Sequence, residues 1–158
     1  MIEAYGREAL LTVHILAVIA WLGFGFFELW LGRIFLADPE SPAAAPLIRI
    51  VYNSDIVVFV ATLTAFAAGI TQTILFGWGW FETLWLGLKQ GIMIIVLSVV
   101  ALILPSAFRL NAQIKALPEG PGPASVEVIQ SYRRLEPWYW LMRLLGLVAV
   151  VLAVWRPV

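Results

Sequence analysis

Four long apolar stretches, separated by short polar breaks, dominate this sequence and constrain its fold. They run over about residues 9–37, 50–76, 83–108 and 137–155. A helix needs about 20 consecutive apolar residues to cross the hydrocarbon core of a bilayer. Within lipid, every backbone polar group must be satisfied inside the protein, and a helix satisfies its own. The sequence therefore predicts an all-α fold, a four-helix transmembrane bundle.

The breaks between these stretches are rich in residues that end helices. Segment 38–42 contains two prolines, segment 77–80 two glycines, and segment 117–123 three prolines and two glycines. Proline removes a backbone donor, and glycine loses more conformational freedom than other residues when it is ordered in a helix. The chain, residues 1–158, is therefore predicted to be a single integral membrane domain with three connections.

A short amphipathic segment is predicted just before the fourth apolar stretch, over about residues 125–135. Val126, Ile129 and Tyr132 recur there at helical spacing, opposite polar side chains. This pattern is typical of a helix that lies on a membrane surface. Pro137 then suits the first turn of the fourth span, where its missing N–H costs nothing.

The composition supports lipid rather than water or nucleic acid as the surroundings. Apolar residues make up 62% of the chain and charged residues only 13%, whereas a soluble domain is about a quarter charged. Ten basic and ten acidic residues leave no net charge, so no basic surface for nucleic acid is expected. The absence of cysteine excludes disulfides, thiolate metal sites and iron–sulfur clusters.

The basic residues predict the orientation in the membrane. Most of them lie in or next to the two long connections, between spans one and two and between spans three and four: Arg33, Arg49, Arg109, Lys115, Arg133 and Arg134. The other side has only Arg7 and Arg156. Because cytoplasmic loops are enriched in Lys and Arg, we expect both long loops, with the amphipathic segment, in the cytoplasm. Both termini are then on the outer side.

Four polar side chains are expected at one level near the outer side: His14, Lys89, Gln90 and Gln72. Ionisable groups inside a bilayer are costly and are therefore the first functional candidates. A neutral imidazole in a dry bundle is a good axial ligand for haem iron, and it serves equally for the magnesium of a chlorin. Lys89 is at the right depth to pair with a propionate or another anion. The alternative is that His14 only forms a hydrogen bond with a backbone carbonyl or with Gln72.

A six-coordinate haem would need a second axial ligand. Met93, one turn deeper than Lys89, is the candidate within the chain. Otherwise a second His14 across a dimer interface would supply it.

A second layer of polar residues is expected near the cytoplasmic end: Glu28, Arg33, Asn53, Asp55, Arg109, Glu136 and Arg143. Acids and bases are nearly matched, which favours a network of salt bridges closing the bundle. Glu28 is the deepest member, and Arg143 is its expected partner. His14 and Glu28 are 14 residues apart, about 21 Å along a helix axis, so a direct proton relay between them is not expected.

Three short segments resemble a known group of proteins. In segment 14–23, His14 is followed seven residues later by Trp21 and then by Gly23. This resembles the first helix of a bacterial superfamily of small four-helix membrane proteins. It includes HemJ-type protoporphyrinogen oxidases, the CopD-like membrane domain and an uncharacterised predicted integral membrane family. Segments 84–89 and 32–35 are similar to HemJ-type segments that open helix three and end helix one.

The resemblance implies a haem-b-binding protein of the bacterial inner (plasma) membrane with a redox role, such as porphyrinogen oxidation. It implies that His14 is the haem ligand, Lys89 a propionate or substrate contact, and Arg33 a structural or substrate contact. Whether the chain is an enzyme stays open. One alternative is a non-enzymatic subunit of a larger membrane complex or homo-oligomer. Another is a CopD-like permease, although one histidine, three methionines and no cysteine make a poor copper path.

Overall fold

The protein consists of four long α-helices. A computed structural model describes residues 2–155, with side chains from residue 5 onward. The helices are α1 (Ile2–Ala37), α2 (Ala44–Leu75), α3 (Leu84–Lys115) and α4 (Val126–Trp155). Within residues 2–155 there is no strand, and each helix is long and apolar enough to cross a membrane. The predicted all-α fold is confirmed, whereas the sides on which the termini lie stay a prediction, and Arg156 is outside the described residues.

The helices pack as two antiparallel hairpins placed side by side. Helices of 30 to 36 residues are about 45–54 Å long, and such short connections force consecutive helices to run in opposite directions. α1 packs closely along α2, and α3 along α4, while fewer contacts join α1 to α4 and α2 to α3. Within the described residues, the backbones of the diagonally opposite helices, α1 with α3 and α2 with α4, do not approach each other. Each helix therefore has two neighbours, an arrangement compatible with a four-helix bundle.

The helices extend beyond the apolar stretches that predict them. α1 begins at Ile2, α2 begins at Ala44, and α3 continues to Lys115. The hydrocarbon core of a bilayer is about 30 Å thick, which is shorter than any of these helices. Helical hydrogen bonds do not require apolar side chains, so hydropathy marks the part of a helix that fits into lipid and not the whole helix.

The amphipathic segment and the fourth apolar stretch form one continuous helix, α4. Pro137 lies inside it, although the sequence places this proline in a first helical turn. Val128, Tyr132 and Leu135 are buried in the bundle, so the apolar face of segment 125–135 packs against other helices. The stability gained from this packing compensates for the loss of the backbone hydrogen bond that proline cannot donate.

Two connections bind each other at one end of the bundle, and we call this region the loop clasp. Three backbone hydrogen bonds of 2.7 to 3.0 Å join residues 39–45 to residues 122–124. Nη2 of Arg49 donates to the carbonyl oxygens of Leu117 and Pro118, each at 2.8 Å. The loop clasp therefore ties the α1–α2 hairpin directly to the α3–α4 hairpin.

The turn between α2 and α3, at the opposite end, is held by a side chain. Gly77, Gly79 and Phe81 all have positive φ angles, of 61°, 70° and 59°, a conformation that costs little for glycine only. Gln90 accepts a hydrogen bond from the Phe81 amide at 2.8 Å and donates one to the Gly79 carbonyl at 3.2 Å. Gln90, which the sequence places near the outer polar level, is thus engaged in stabilising this turn.

Candidate functional site

Polar side chains within the bundle form two groups. The first surrounds His14 in the half of the bundle away from the loop clasp. The second, which we call the inner cluster, consists of six residues from all four helices: Glu28, Asp55, Asn111, Tyr132, Tyr139 and Arg143. His14 and Glu28 are 14 residues apart on α1, so the two groups are separated by about 21 Å along the helix axis.

His14 is oriented by the backbone of α2. The ring is half-buried, and its Nδ1 lies 2.8 Å from the carbonyl oxygen of Ala65. A carbonyl oxygen can only accept, so Nδ1 carries the proton and the neutral ring has its lone pair on Nε2. Gly69, one turn further along α2, makes room, because a Cβ there would lie 3.3 Å from Cε1 of His14. The expected hydrogen bond to a backbone carbonyl is therefore present, and it leaves Nε2 as a potential ligand atom.

Lys89 and Gln72 lie on two other helices, in the same half of the bundle as this histidine. The ammonium group of Lys89 on α3 is 5.5 Å from the centroid of the Trp85 ring, and its charge acts on His14. Gln72 is buried on α2, and its amide nitrogen makes no hydrogen bond. Met93 is partly buried and packs against the hydrophobic core. The structure thus brings an imidazole, an ammonium and an unpaired amide donor to the same half of the bundle.

Arg33 belongs to neither group. Its side chain is 69% exposed, and its Nε is 4.0 Å from a carboxylate oxygen of Glu136. The guanidinium also lies 5.3 Å from the Trp140 ring centroid. Arg33 is 19 residues after His14, about 28 Å away along α1. The structure therefore does not bring Arg33 to the histidine.

The inner cluster is built on a fully buried ion pair. Nη2 of Arg143 donates to Oε2 of Glu28 at 3.2 Å, and the two side chains are 1% and 0% exposed. This confirms the partner predicted for Glu28. Gly25, one turn before Glu28, lies against the Arg143 side chain, which would collide with any Cβ at that position. A glycine is needed there so that the long guanidinium can lie between α1 and α4.

Beside this pair is a small cavity between all four helices. Its volume is about 10 Å³, which is room for about one water molecule. Glu28 and Asp55 line it together with Asn111, Tyr132 and Tyr139. Three polar atoms of these residues are buried without a partner, namely Glu28 Oε1, Tyr132 Oη and Asn111 Oδ1. The negative charge of half-buried Asp55 acts on Glu28 across the cavity.

The sequence identifies the charged members of the inner cluster and misses the neutral ones. The sequence pattern places Tyr132 in a surface segment, and it does not single out Tyr139 or Asn111. The missed signal is the spacing of Tyr132, Tyr139 and Gly146, which are seven residues apart and share one face of a helix. A Cβ at Gly146 would lie only 2.9 Å from the Trp21 ring, so a glycine lets α4 approach α1 closely there.

Four residues predicted for the inner layer lie outside the inner cluster: Arg33 and Glu136, which pair with each other, and Asn53 and Arg109. Asn53 is exposed. Arg109 lines a surface groove of about 250 Å³ between α3 and α4, together with Arg134 and Trp138. The predicted network is therefore smaller than expected, because only the side chains that point between the helices join it.

Within residues 5–155, no three histidine, cysteine, aspartate or glutamate side chains form a group that could hold a metal ion. A metal at His14 would accordingly have to bring most of its own ligands. No protein-family model matches the chain, and no curated protein or solved structure matches it.

Proposed function

We propose that this chain is a multi-pass protein of the bacterial inner membrane that binds haem b through His14 and takes part in membrane redox chemistry. Four helices of sufficient length and apolarity support the membrane assignment. The distribution of Lys and Arg supports cytoplasmic loops and outer termini. The proposal depends above all on one observation, the Nδ1 contact that fixes the tautomer of His14.

The residues around His14 fit a macrocycle-bound metal. A single protein nitrogen is enough for a metal that carries its own equatorial ligands, and Nε2 of His14 is the atom that would bind the iron. The Ala65 carbonyl at 2.8 Å would hold the ring in orientation, as backbone carbonyls do for many metal-bound histidines. The unpaired amide of Gln72 and the charge of Lys89 would attract the propionates. Haem, when bound, supplies one-electron redox chemistry.

The resemblance to HemJ-type proteins supports a redox role and suggests porphyrinogens as the substrate class. In this chain, α1 and α2 would provide the ligand and its orientation. The apolar surroundings would exclude water from the iron, which influences its reduction potential.

The test is the visible absorption spectrum of the protein purified in detergent from cells supplied with a haem precursor. The wild type should show a Soret band with one haem per chain. His14→Gly should lose this band, and added imidazole should restore it by occupying the vacated space. Thr12→Val is the matched control, since the Thr12 hydroxyl only donates to the Glu8 carbonyl of its own helix. This variant should retain haem.

A wild type without a Soret band would reject the haem proposal, and so would His14→Gly with full haem content. Co-purification of haem-free protein with a larger membrane assembly would then favour the subunit interpretation. Solute uptake into liposomes would favour the permease.

A further inference from the structure

The inner cluster has one negative charge more than it can neutralise. α1 contributes Glu28, α2 contributes Asp55, and α4 contributes Arg143, so full ionisation leaves a net charge of −1. The side chain from α3, Asn111, is neutral. The tyrosines that face the cavity, Tyr52 on α2 with Tyr132 and Tyr139 on α4, are neutral in their ordinary state.

The nearest outside charges do not remove this excess. Glu136 on α4 is close enough for its charge to act on Tyr132, and it would add negative charge. Glu136 is itself paired with Arg33 at 4.0 Å. Lys115 on α3 lies 5.8 Å from the Tyr52 ring centroid, with its side chain exposed. An uncompensated charge between apolar helices is costly, and such a site normally takes up a neutralising ion or proton.

Several buried polar atoms of the cluster have no hydrogen-bond partner, and Nε of Arg143 is the donor among them. Glu28 Oε1 and Asn111 Oδ1 are buried acceptors without a donor, and both residues line the cavity. A protonated carboxyl group is a donor, whereas an ionised one is only an acceptor. One proton on the carboxyl pair, relayed by the single water that the cavity can hold, would satisfy these acceptors. The Tyr132 hydroxyl, also unpaired, could donate to the same water.

We propose that the inner cluster is a proton-binding site, in which Glu28 and Asp55 share one exchangeable proton beside Arg143. Glu28 is fully buried, whereas Asp55 is half-buried, so Asp55 is the carboxyl group through which the proton enters and leaves. The proton comes from a hydronium ion on the loop side and returns to water there, without any redox change. This site does not depend on haem at His14, which lies about 21 Å away.

Infrared difference spectroscopy on the protein in lipid nanodiscs tests this inference. Exposed carboxyl groups are ionised at about pH 7, so a protonated carboxyl band at that pH reports a buried group. The wild type should show this band with an intensity of one carboxyl per chain, and the band should shift in D₂O and disappear at alkaline pH. Glu28→Gln and Asp55→Asn should each abolish it, because Arg143 neutralises the one carboxylate that remains.

Two further variants sharpen the test. Glu136→Gln is the matched control, and it should keep the band because this carboxylate faces Arg33 outside the cavity. Arg143→Met should add a second protonated carboxyl, since no cation then remains in the cluster.

The inference is overturned if the wild type shows no protonated carboxyl at neutral pH, or if the band survives in both Glu28→Gln and Asp55→Asn. A third contrary result would be thermal stabilisation of the band-free wild type by sodium chloride but not by choline chloride. That result would assign the excess charge to a bound sodium ion. The wild-type spectrum decides the question even if a variant fails to fold.

Discussion

Two ion pairs in this protein have the same chemistry and very different surroundings. Glu28 and Arg143 are almost completely buried at 3.2 Å. Arg33 and Glu136 are 4.0 Å apart, and the arginine side chain is 69% exposed. Exposed pairs contribute about 0–1 kcal/mol to stability. In a buried pair, the loss of one partner leaves the other charge desolvated, and this penalty is far larger than the net contribution of the pair.

Glu28→Ala should lower the free energy of unfolding by about 1.5–3 kcal/mol. The cause is that the Arg143 guanidinium, buried beside Gly25, would lose the carboxylate to which it donates a hydrogen bond, while Asp55 would still balance its charge. Unfolding by SDS in mixed micelles measures this change. Glu136→Ala, the control, should change stability by less than about 1 kcal/mol.

The double variant Glu28→Leu with Arg143→Met separates the charge penalty from packing. It removes both charges and should be more stable than Glu28→Ala. Equal stability of the wild type and Glu28→Ala would contradict a buried pair at this position.

At the level of helices and turns, the sequence predicts which elements exist better than where they end. Hydropathy identifies all four helices, because each contains an apolar stretch long enough to cross a membrane. It misplaces the start of α2 and the end of α3, since polar turns of helix project beyond the apolar part. It also separates segment 125–135 from α4, because Pro137 marks a helix start in sequence statistics although a packed helix can contain it.

The candidate sites are also only partly predictable from the sequence. Ionisable residues in apolar stretches stand out in the sequence, so His14, Glu28 and Arg143 are identifiable without coordinates. The rotation of each helix about its axis cannot be identified from the sequence, and this rotation decides which polar residues contact each other. Arg109 faces a surface groove between α3 and α4, and the charge of Asp55 on α2 acts on Glu28 on α1, because of how the two helices of each hairpin pack.

The turn between α2 and α3 depends on one amide. Gln90→Ala would remove both hydrogen bonds to the backbone of Gly79 and Phe81, the second of which has an unfavourable positive φ angle. We expect a loss of about 1–2 kcal/mol in the free energy of unfolding, together with faster proteolysis at residues 77–83. Thermal unfolding followed by circular dichroism measures the first effect. Gln130→Ala, at an exposed position, should have neither effect, and a similar response of both variants would contradict the assigned role.

At the level of the whole molecule, the two ends of the bundle differ in their content of basic residues. The loop clasp lies at the end that carries Arg49 and the nearby basic residues, and the α2–α3 turn lies at the other end. Many large side chains on the outer surface of the helices are apolar, including Leu102 at 66% and Ile74 at 64% exposure. An exposed apolar surface of this kind suits contact with lipid.

Labelling of single-cysteine variants tests the predicted orientation. The chain has no cysteine of its own, so there is no background. Cysteine at Glu82 should react with a membrane-impermeant maleimide once the outer membrane is permeabilised. Cysteine at Glu40 or Glu119 should react only after the inner membrane is broken. The opposite pattern would place both termini in the cytoplasm.

The loop clasp also has a mechanical consequence. It joins the two hairpins by direct backbone hydrogen bonds, while fewer backbone contacts join α1 to α4 or α2 to α3 than join the helices within each hairpin. If the hairpins move relative to each other, residues 39–45 and 122–124 are therefore the expected hinge. Such a motion would displace the end that carries the α2–α3 turn more than the inner cluster.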